Sequence, residues 1–321
     1  MLPKKAKKPK KSHPILDYMV YVLLRVVSIF VQIPDTDTSV RIARKLGTGL
    51  YLIYHRGRQR AMENLRTSFP DKSQQWLDRT VQSSFEHIVM LAFDVLHTNR
   101  LIRASTWHRY IEMEDFPNAV RLILSGRGVI MVTGHYGNFE VNGVVLSTFG
   151  LECYSIARPI DNRYINKYLL DVRQRQGQMI IDKKGATTAM MDILSSGAML
   201  SFIADQNAGH KGIFVDFFGR KASTYKSIGL LAMQYNLPII IGCCRRIDNR
   251  YKFKLQLAHI IEPKDWQDKD KPLLWITAEY TAAIEAFIRQ CPEQYWWVHR
   301  RWKTRPPEER NAANDKINSG D

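Results

Sequence analysis

The stretch GVIMVTGHYGNFE, residues 128–140, gives the clearest indication of the fold of this chain. Its apolar run at 129–132 is long enough for a buried strand, and the glycines and the asparagine that follow are turn formers. A longer apolar stretch with helical character then covers 139–146. The sequence therefore predicts a strand, a tight turn and a helix, with His135 and Glu140 carried on the turn. Loops at the carboxyl ends of strands are where an open α/β sheet holds its active site.

The two polar residues of this turn have the chemistry of a general base and its partner. Five residues on an ideal helix span about 140° of rotation, so His135 and Glu140 meet only if the histidine precedes the helix. A carboxylate bonded to one imidazole nitrogen fixes the tautomer and leaves the other nitrogen free to accept a proton. The chain has no G-x-S-x-G nucleophile motif, so we expect the base to act on a substrate hydroxyl. The alternative is that His135 only caps the turn.

Composition limits the partners of this 321-residue chain, which is long enough to bury a sizeable core. Its formal charge of +16 indicates an anionic partner such as a membrane surface, a phosphorylated substrate or nucleic acid. The four cysteines lack metal-ligand spacing, which favours a reducing compartment and predicts no metal site. The first apolar stretch lacks a signal-peptide cleavage site, so we expect it to be retained.

The N-terminal third is predicted to be basic and helical. Residues 1–12 form a lysine-rich tail, and 13–34 form a membrane-associated helix with one polar stripe about 100° wide. An embedded interfacial helix is the first interpretation, with a membrane-spanning helix or a core helix as alternatives. Residues 35–121 form a helical region, in which His87 and His97 are predicted to be structural.

From residue 122 the pattern changes to short apolar runs that alternate with helical stretches. This alternation predicts an α/β fold, a mostly parallel sheet with covering helices, over 122–306. The more alternating segment 251–261 is expected to be an antiparallel edge strand. Residues 307–321 form a C-terminal tail, and 35–306 are expected to make one compact catalytic unit.

Three polar loops follow the predicted strands. Arg158 comes directly after one strand, Asp205 after another, and the segment 217–220 after a third. Because parallel strands end at the same edge of a sheet, we expect these loops to converge on the edge that carries His135.

Taken together, these motifs resemble the late acyltransferases of lipid A biosynthesis, the lauroyl and myristoyl transferases, which are distant relatives of the glycerolipid acyltransferases. The resemblance covers about residues 56–306. It rests on HYGNFE at 135–140, RP at 158–159 with Asn162, the lysine-rich turn 182–185, DQ at 205–206, FFG at 217–219 and PEQYWWVHRRWK at 292–303.

The resemblance implies transfer of a fatty acyl group from a thioester to a hydroxyl of a phosphorylated glycolipid, at the cytoplasmic face of the inner membrane. The donor is acyl carrier protein or coenzyme A, and no cofactor is needed. His135 is then the general base, oriented by Glu140. The oxyanion donor is Arg158 or the backbone N–H groups at 137–138, and Arg158 equally suits a phosphate of the acceptor. The residues predicted to contact substrate are Asn138, Arg158, Asp205, Arg300 and Arg301.

Two other functions remain open at this point. One is acyl transfer to a different glycolipid or phospholipid acceptor. The other is a non-catalytic basic protein that binds a membrane surface or nucleic acid, which the tryptophans and arginines at 296–305 also suit. The pair at 135 and 140 favours an enzyme, so no nucleic-acid partner is expected.

Overall fold

The architecture comes from a computed structural model that describes residues 13–114, 117–157, 159–175, 177–182 and 186–309. Four sequence-based predictions lie wholly or partly outside these residues: the basic tail, Arg158, the lysine-rich turn at 182–185 and the C-terminal tail. In the described part the chain is α/β, with four N-terminal helices, a mostly parallel sheet and covering helices.

The N-terminal helices are α1 (Pro14–Gln32), α2 (Thr36–Ile53), α3 (His55–Ser68) and α4 (Gln74–Leu101). Capping side chains fix the N-termini of α2 and α4. The Asp35 carboxylate accepts a bond from the backbone N–H of Thr38, and the Ser73 hydroxyl accepts one from that of Trp76. Such caps satisfy backbone donors that have no partner within the helix. The predicted helices are confirmed here.

The region predicted to be helical up to residue 121 also holds a strand. The strand β1 (Ile111–Glu114) pairs in parallel with β9 (Phe253–Ile261), and α5 (Pro117–Leu124) follows it. Only Ile111 of this strand is buried, so its apolar pattern was too weak to predict it.

The central sheet has the strand order β1-β9-β8-β2-β5-β3-β4. Its other strands are β2 (Val129–Thr133), β3 (Cys153–Ala157), β4 (Gln178–Asp182), β5 (Met199–Ile203) and β8 (Ile239–Arg246). The covering helices are α6 (Phe139–Thr148), α7 (Arg163–Gln174), α8 (Ala186–Ser195), α9 (Ser227–Tyr235) and α10 (Pro272–Gln290).

Strand directions follow the prediction with one correction. The five strands β8, β2, β5, β3 and β4 run in parallel, and β9 runs antiparallel to β8 as expected for 251–261. However, β9 is not an edge strand, because β1 lies outside it.

The prediction for the third polar loop, residues 217–220, is also corrected. Residues 217–220 form the turn of a hairpin between β6 (Ile213–Phe217) and β7 (Arg220–Thr224), a sheet separate from the central one. Phe217 and Phe218 are buried, and Phe218 packs against Phe69 and Trp297. The loop therefore contributes to the core and does not join the polar edge.

Strand β2 is the centre of the core, since all five of its residues are buried. Its two faces belong to two apolar clusters, one of which joins Ile130 and Val132 to α3, α4 and α10. Each fully buried aliphatic side chain contributes about 1.5–3 kcal/mol, which fixes the strand and the turn that follows it.

Helix α1 lies along the surface of the molecule and presents an apolar face outward. In the described part of the chain it is the helix that is long and apolar enough to cross a membrane. Its exposed side chains are mostly apolar, including Leu16, Met19, Leu23 and Phe30. On the side that faces the body, Tyr21 of the polar stripe packs on Tyr164 and Tyr168 of α7.

Candidate functional site

The turn after β2 has a backbone that requires glycine. Gly137 has φ +58°, and a Cβ there would lie 2.4 Å from the carbonyl oxygen of Cys244. Only a residue without a side chain fits both conditions. Asn138 then starts α6, because its Oδ1 accepts a bond of 3.0 Å from the backbone N–H of Val141.

His135 is held by Asp205 through two hydrogen bonds. The imidazole Nδ1–H donates to Asp205 Oδ1 at 2.7 Å, and the backbone N–H of His135 donates to Asp205 Oδ2 at 3.0 Å. The carboxylate is 3% exposed. One buried acid therefore fixes both the backbone and the ring of His135.

The other imidazole nitrogen faces Gln206. Because Nδ1 donates to a carboxylate, Nε2 carries a lone pair, and the Gln206 amide Nε2–H donates to it at 3.2 Å. The neutral tautomer with a proton-accepting Nε2 is the form that a general base needs.

Asp205 is suited to stay ionised. Burial by itself raises the pKa of this carboxyl, but the imidazole of His135, its two hydrogen bonds and the nearby Arg301 outweigh burial and lower the pKa to about 2. The carboxylate therefore remains an acceptor for Nδ1–H at any pH where the protein works.

Glu140 does not hold His135, which corrects the predicted pair. In the described residues its carboxylate is bound by the guanidinium of Arg173 on α7, at 3.0 Å from Nε and 2.5 Å from Nη2. Glu140 lies in the first turn of α6 and points toward α7, whereas Asp205 reaches the ring from the neighbouring strand. The structure therefore gives the orienting position to Asp205.

Helix α4 packs against the turn and is hydrogen-bonded to it. The buried ring of His87 donates from Nε2 to the carbonyl oxygen of Gly137 at 3.0 Å. Burial, followed by the charge of Arg246, lowers the pKa of His87 to about 4, so this ring is neutral near pH 7. The structural role predicted for His87 is thus confirmed.

Asn138 is part of the same support and does not face a substrate. It is fully buried, and its Nδ2–H donates to Asp94 Oδ2 at 2.8 Å. Asp94 also forms a buried ion pair with Arg246 of β8. Since both ends of the Asn138 amide are used within the protein, the predicted substrate contact is wrong.

The backbone donors predicted for the oxyanion are also in use. The N–H of Gly137 donates to the carbonyl oxygen of Gln294 at 3.0 Å, and that of Asn138 donates to the carbonyl oxygen of Cys244 at 2.5 Å. These bonds attach the turn to the rest of the fold, so the 137–138 backbone is not an oxyanion hole in this conformation.

The C-terminal motif at 292–303 lies along one side of the site. Trp296 lies beside His135 with ring centroids 5.2 Å apart, and Phe139 lies 5.1 Å away on another side. Trp297 and Trp302 are buried in the core. One of the three tryptophans therefore belongs to the site, and two are structural.

The two arginines of this motif differ. Arg300 is exposed. Arg301 is 1% exposed and donates to the carbonyl oxygens of Ser223 and Gln206 and to the hydroxyl of Thr224. The predicted substrate contact of Arg301 is therefore wrong, and this arginine stabilises the loop of Asp205 and Gln206.

An apolar cavity of about 90 Å³ opens at His135. It is lined by His87, Ile88, Leu91, His135, Gly137, Phe139, Gln294 and Trp296. The described residues contain no group of three or more His, Cys, Asp or Glu side chains placed to hold a metal ion. The arrangement combines an oriented base with an apolar cavity, which suits proton removal beside a hydrocarbon chain.

Sequence reasoning missed three residues of this site: Arg173, Gln206 and Trp296. Gln206 and Trp296 stood in motifs quoted for the resemblance, but nothing local showed which member of each motif faces His135. Arg173 had no signal, because its contact with Glu140 joins residues 33 positions apart.

Comparison with known proteins adds independent evidence. A protein-family model described as "Bacterial lipid A biosynthesis acyltransferase" matches residues 4–304. The chain is 25% identical to a lipid A biosynthesis lauroyltransferase of Escherichia coli K12, over 93% of this chain and 96% of that protein. It is 22% identical to a lipid A biosynthesis acyltransferase of Haemophilus influenzae, over 83% and 81%. It is also 22% identical to the Escherichia coli K12 palmitoleoyltransferase, over 90% and 92%.

Proposed function

The chain belongs to the bacterial lipid A biosynthesis acyltransferase family, and we propose that His135 performs its chemistry as a general base oriented by Asp205. The acyl group moves from a thioester of acyl carrier protein or coenzyme A to a hydroxyl of a phosphorylated lipid A precursor. The observation that carries this proposal is the bond from His135 Nδ1 to the buried Asp205, beside an apolar cavity.

In this mechanism His135 Nε2 takes the proton of the acceptor hydroxyl as its oxygen attacks the thioester carbonyl. Asp205 keeps the proton on Nδ1 and stabilises the imidazolium that forms. An oriented general base contributes about 10²–10⁴-fold to the rate. No cofactor takes part, because the thioester already supplies an activated acyl group.

The apolar cavity at His135 is proposed to receive the part of the acyl chain next to the carbonyl. Its walls are Ile88 and Leu91 of α4 and the rings of Phe139 and Trp296. A hydrocarbon chain placed there leaves water and brings its carbonyl to the base.

Anionic groups of the substrates are proposed to bind exposed arginines. Arg300 is exposed and follows Trp296 by four residues along the chain. Arg158, which lies outside the described residues, remains the proposed partner of a phosphate or of the oxyanion. The net charge of +16 suits an acidic carrier protein and a phosphorylated acceptor.

Helix α1 is proposed to lie in the cytoplasmic face of the inner membrane, parallel to its surface. The helix contacts the body near both ends: Asn162 donates to the carbonyl oxygen of Asp17, and Arg100 donates to that of Gln32. A helix attached lengthwise leaves its apolar face for lipid and does not project across the bilayer.

Residues 35–306 are proposed to act as one catalytic unit with a glycerolipid-acyltransferase-like core. Asn64 of α3 donates to the carbonyl oxygens of Trp297 and His299, and α4 supports the turn of His135. These contacts tie the helical region to the site, so the α/β core is not expected to work without it.

The test is acyl transfer by the purified full chain in detergent micelles. A lipid A precursor is offered with an acyl thioester of either carrier, and mass spectrometry follows the mass of one added acyl group. We expect transfer by the wild type and a loss of at least about 10²-fold in His135→Ala. His55→Ala, at an exposed position on α3, is the control.

Comparison of the two carriers identifies the donor. Absence of acyl transfer with both carriers, for the lipid A precursor and for a glycerolipid acceptor, would overturn the proposed activity. A His135→Ala enzyme as fast as the wild type would overturn the proposed base.

A further inference from the structure

The oxyanion of an acyl transfer needs a hydrogen-bond donor, and the backbone N–H groups of His135, Gly137 and Asn138 are occupied. The backbone N–H of His135 is bonded to Asp205, and those of Gly137 and Asn138 are bonded to carbonyl oxygens. Among the described side chains, the buried guanidinium of Arg301 binds the protein itself through both terminal nitrogens. The donor that touches the reactive nitrogen is the side-chain amide of Gln206.

Gln206 occupies the place where the acceptor hydroxyl has to bind. Its Nε2–H donates to His135 Nε2 at 3.2 Å, and this lone pair is the one that takes the proton. The hydroxyl needs the same nitrogen at about 2.6–3.2 Å. Substrate binding therefore displaces the Gln206 amide and leaves its N–H without an acceptor at the centre of the reaction.

The backbone of Gln206 is fixed while its side chain has room to turn. Arg301, almost fully buried, donates to the Gln206 carbonyl oxygen at 3.3 Å and to Ser223 at 2.6 Å. The neighbouring Asp205 accepts two hydrogen bonds from His135, which fix its position. The Gln206 side chain is only half-buried, so rotation about its own bonds moves the amide without moving the loop.

We propose that Gln206 is a catalytic residue whose amide N–H moves from His135 Nε2 to the thioester carbonyl oxygen and stabilises the oxyanion. This inference rests on the proposed function. The attacked carbonyl lies next to a hydroxyl that is bound to Nε2, so its oxygen is only a few ångströms from the position the amide leaves.

The step balances in protons and bonds. The hydroxyl proton moves to His135 Nε2 while the C–O bond forms, and the carbonyl oxygen becomes an oxyanion that accepts the Gln206 N–H. Collapse of this intermediate restores the C=O bond and breaks the C–S bond. The thiolate of the carrier leaves with the proton from Nε2, and the Gln206 amide returns to the free nitrogen.

A neutral amide suits both of its positions. While it is bonded to His135, the amide binds the lone pair of the neutral ring without adding charge. While it is bonded to the oxyanion, it supplies a positioned dipole. A carboxylate at the same place fails in the second position, because it has no proton to donate and repels the oxyanion. This difference makes the proposal testable with two side chains of similar size.

The experiment measures kcat and KM for acyl transfer in Gln206→Met and Gln206→Glu. We expect Gln206→Met to lose about 10²–10³-fold in kcat, the usual effect of one oxyanion donor, while KM for the thioester changes less than about threefold. Gln206→Glu is expected to lose more than Gln206→Met. Gln234→Met, on the exposed face of α9, is the matched control and is expected to match the wild type.

Two results would overturn the role of Gln206: a kcat of Gln206→Met within threefold of the wild type, or a Gln206→Glu enzyme faster than Gln206→Met, which indicates that only shape matters. Circular dichroism and thermal unfolding verify folding, and Gln206→Glu keeps the test valid if the methionine variant misfolds. If the wild type is active and His135→Ala is inactive, either of these two results overturns only the role of Gln206 and leaves the proposed function intact. A wild type without acyl transfer overturns both proposals.

Discussion

The imidazole of His135 meets the carboxylate of Asp205 because the strands that precede them, β2 and β5, are neighbours in the sheet. Sequence reasoning assigned the nearest acid along the chain, Glu140, whereas the structure brings in Asp205 from 70 residues away. Strands β2 and β5 pair in parallel with Thr133 opposite Ile203. His135 and Asp205 each lie two residues beyond this pair, so they emerge side by side at the sheet edge.

Replacement of Asp205 by asparagine tests this assignment. The amide no longer fixes the proton on Nδ1, so we expect Asp205→Asn to lower kcat by about 10²–10⁴-fold with intact folding. Steady-state kinetics and circular dichroism provide the measurement. Asp216→Asn, an exposed acid on β6, is the control, and a kcat of Asp205→Asn close to that of the wild type would contradict the assignment.

The role of Glu140 is tested through Arg173. Because the two side chains bind each other, Glu140→Gln and Arg173→Met are expected to cause similar losses of activity. The double variant is expected to lose little more than either single one, which a double-mutant cycle measures as strong coupling. A Glu140→Gln loss far larger than that of Arg173→Met would indicate that Glu140 acts on His135 or on substrate directly.

Helix α4 connects the turn of His135 to the apolar cavity. Its residues His87 and Asp94 form hydrogen bonds with the turn, and Ile88 and Leu91 line the cavity. One helix thus sets both the position of the base and the space beside it. Substitutions on its two faces are expected to have different consequences.

The first consequence concerns pH and stability. His87 has a pKa of about 4 in the folded protein and near 6.5 when unfolded, so between these values the unfolded chain binds more protons. Stability is therefore lost as the pH falls from about 6.5 to 4, by about 3 kcal/mol from this group. We expect this pH-dependent part to disappear in His87→Phe.

Denaturant unfolding of the two proteins in detergent between pH 7 and pH 4 measures the difference. His87→Phe also loses a bond to a buried carbonyl, which lowers its stability by about 1–3 kcal/mol near pH 7. His259→Phe, an exposed histidine of β9, is the control. A gap between wild type and His87→Phe that stays constant over this range would contradict the explanation.

The second consequence concerns the acyl chain. A larger side chain at Leu91 fills the cavity beside His135, so Leu91→Trp is expected to lower kcat/KM by about tenfold or more for the preferred chain. Competition between thioesters of different length, read by mass spectrometry, measures the selectivity. Ala92→Trp, at the exposed neighbouring position, is the control. An unchanged rate and selectivity in Leu91→Trp would show that the acyl chain lies elsewhere.

In the whole molecule, α1 packs on the body through α4 and α7. Residues of the polar stripe of α1 contact α7. Tyr21 packs on Tyr164, and Arg25 lies over the ring of Tyr168 at 4.9 Å. The apolar face of the helix is left exposed, and the proposed membrane lies on this side.

This arrangement predicts the topology of α1. The helix is 19 residues, about 28 Å, and is long enough to span, but its two ends are both attached to the body. We expect His13→Cys and Asp37→Cys to react with a water-soluble maleimide in inverted vesicles and not in intact spheroplasts. Asp268→Cys on the body is the control. Labelling of position 13 from the opposite side would contradict an interfacial helix.

The local structure around the site can be predicted from the sequence. The apolar run at 129–132, the turn formers after it and the helix from 139 follow from interactions between near neighbours, and the parallel sheet follows from their repetition. Which side chains meet at that turn depends on contacts between distant parts of the chain. Asp205, Gln206 and Trp296 reach His135 through strand pairing and a returning C-terminal segment, and the burial of Asn138 and Arg301 depends on distant contacts. Such pairings depend on the global packing of the chain, which no local pattern of residues encodes.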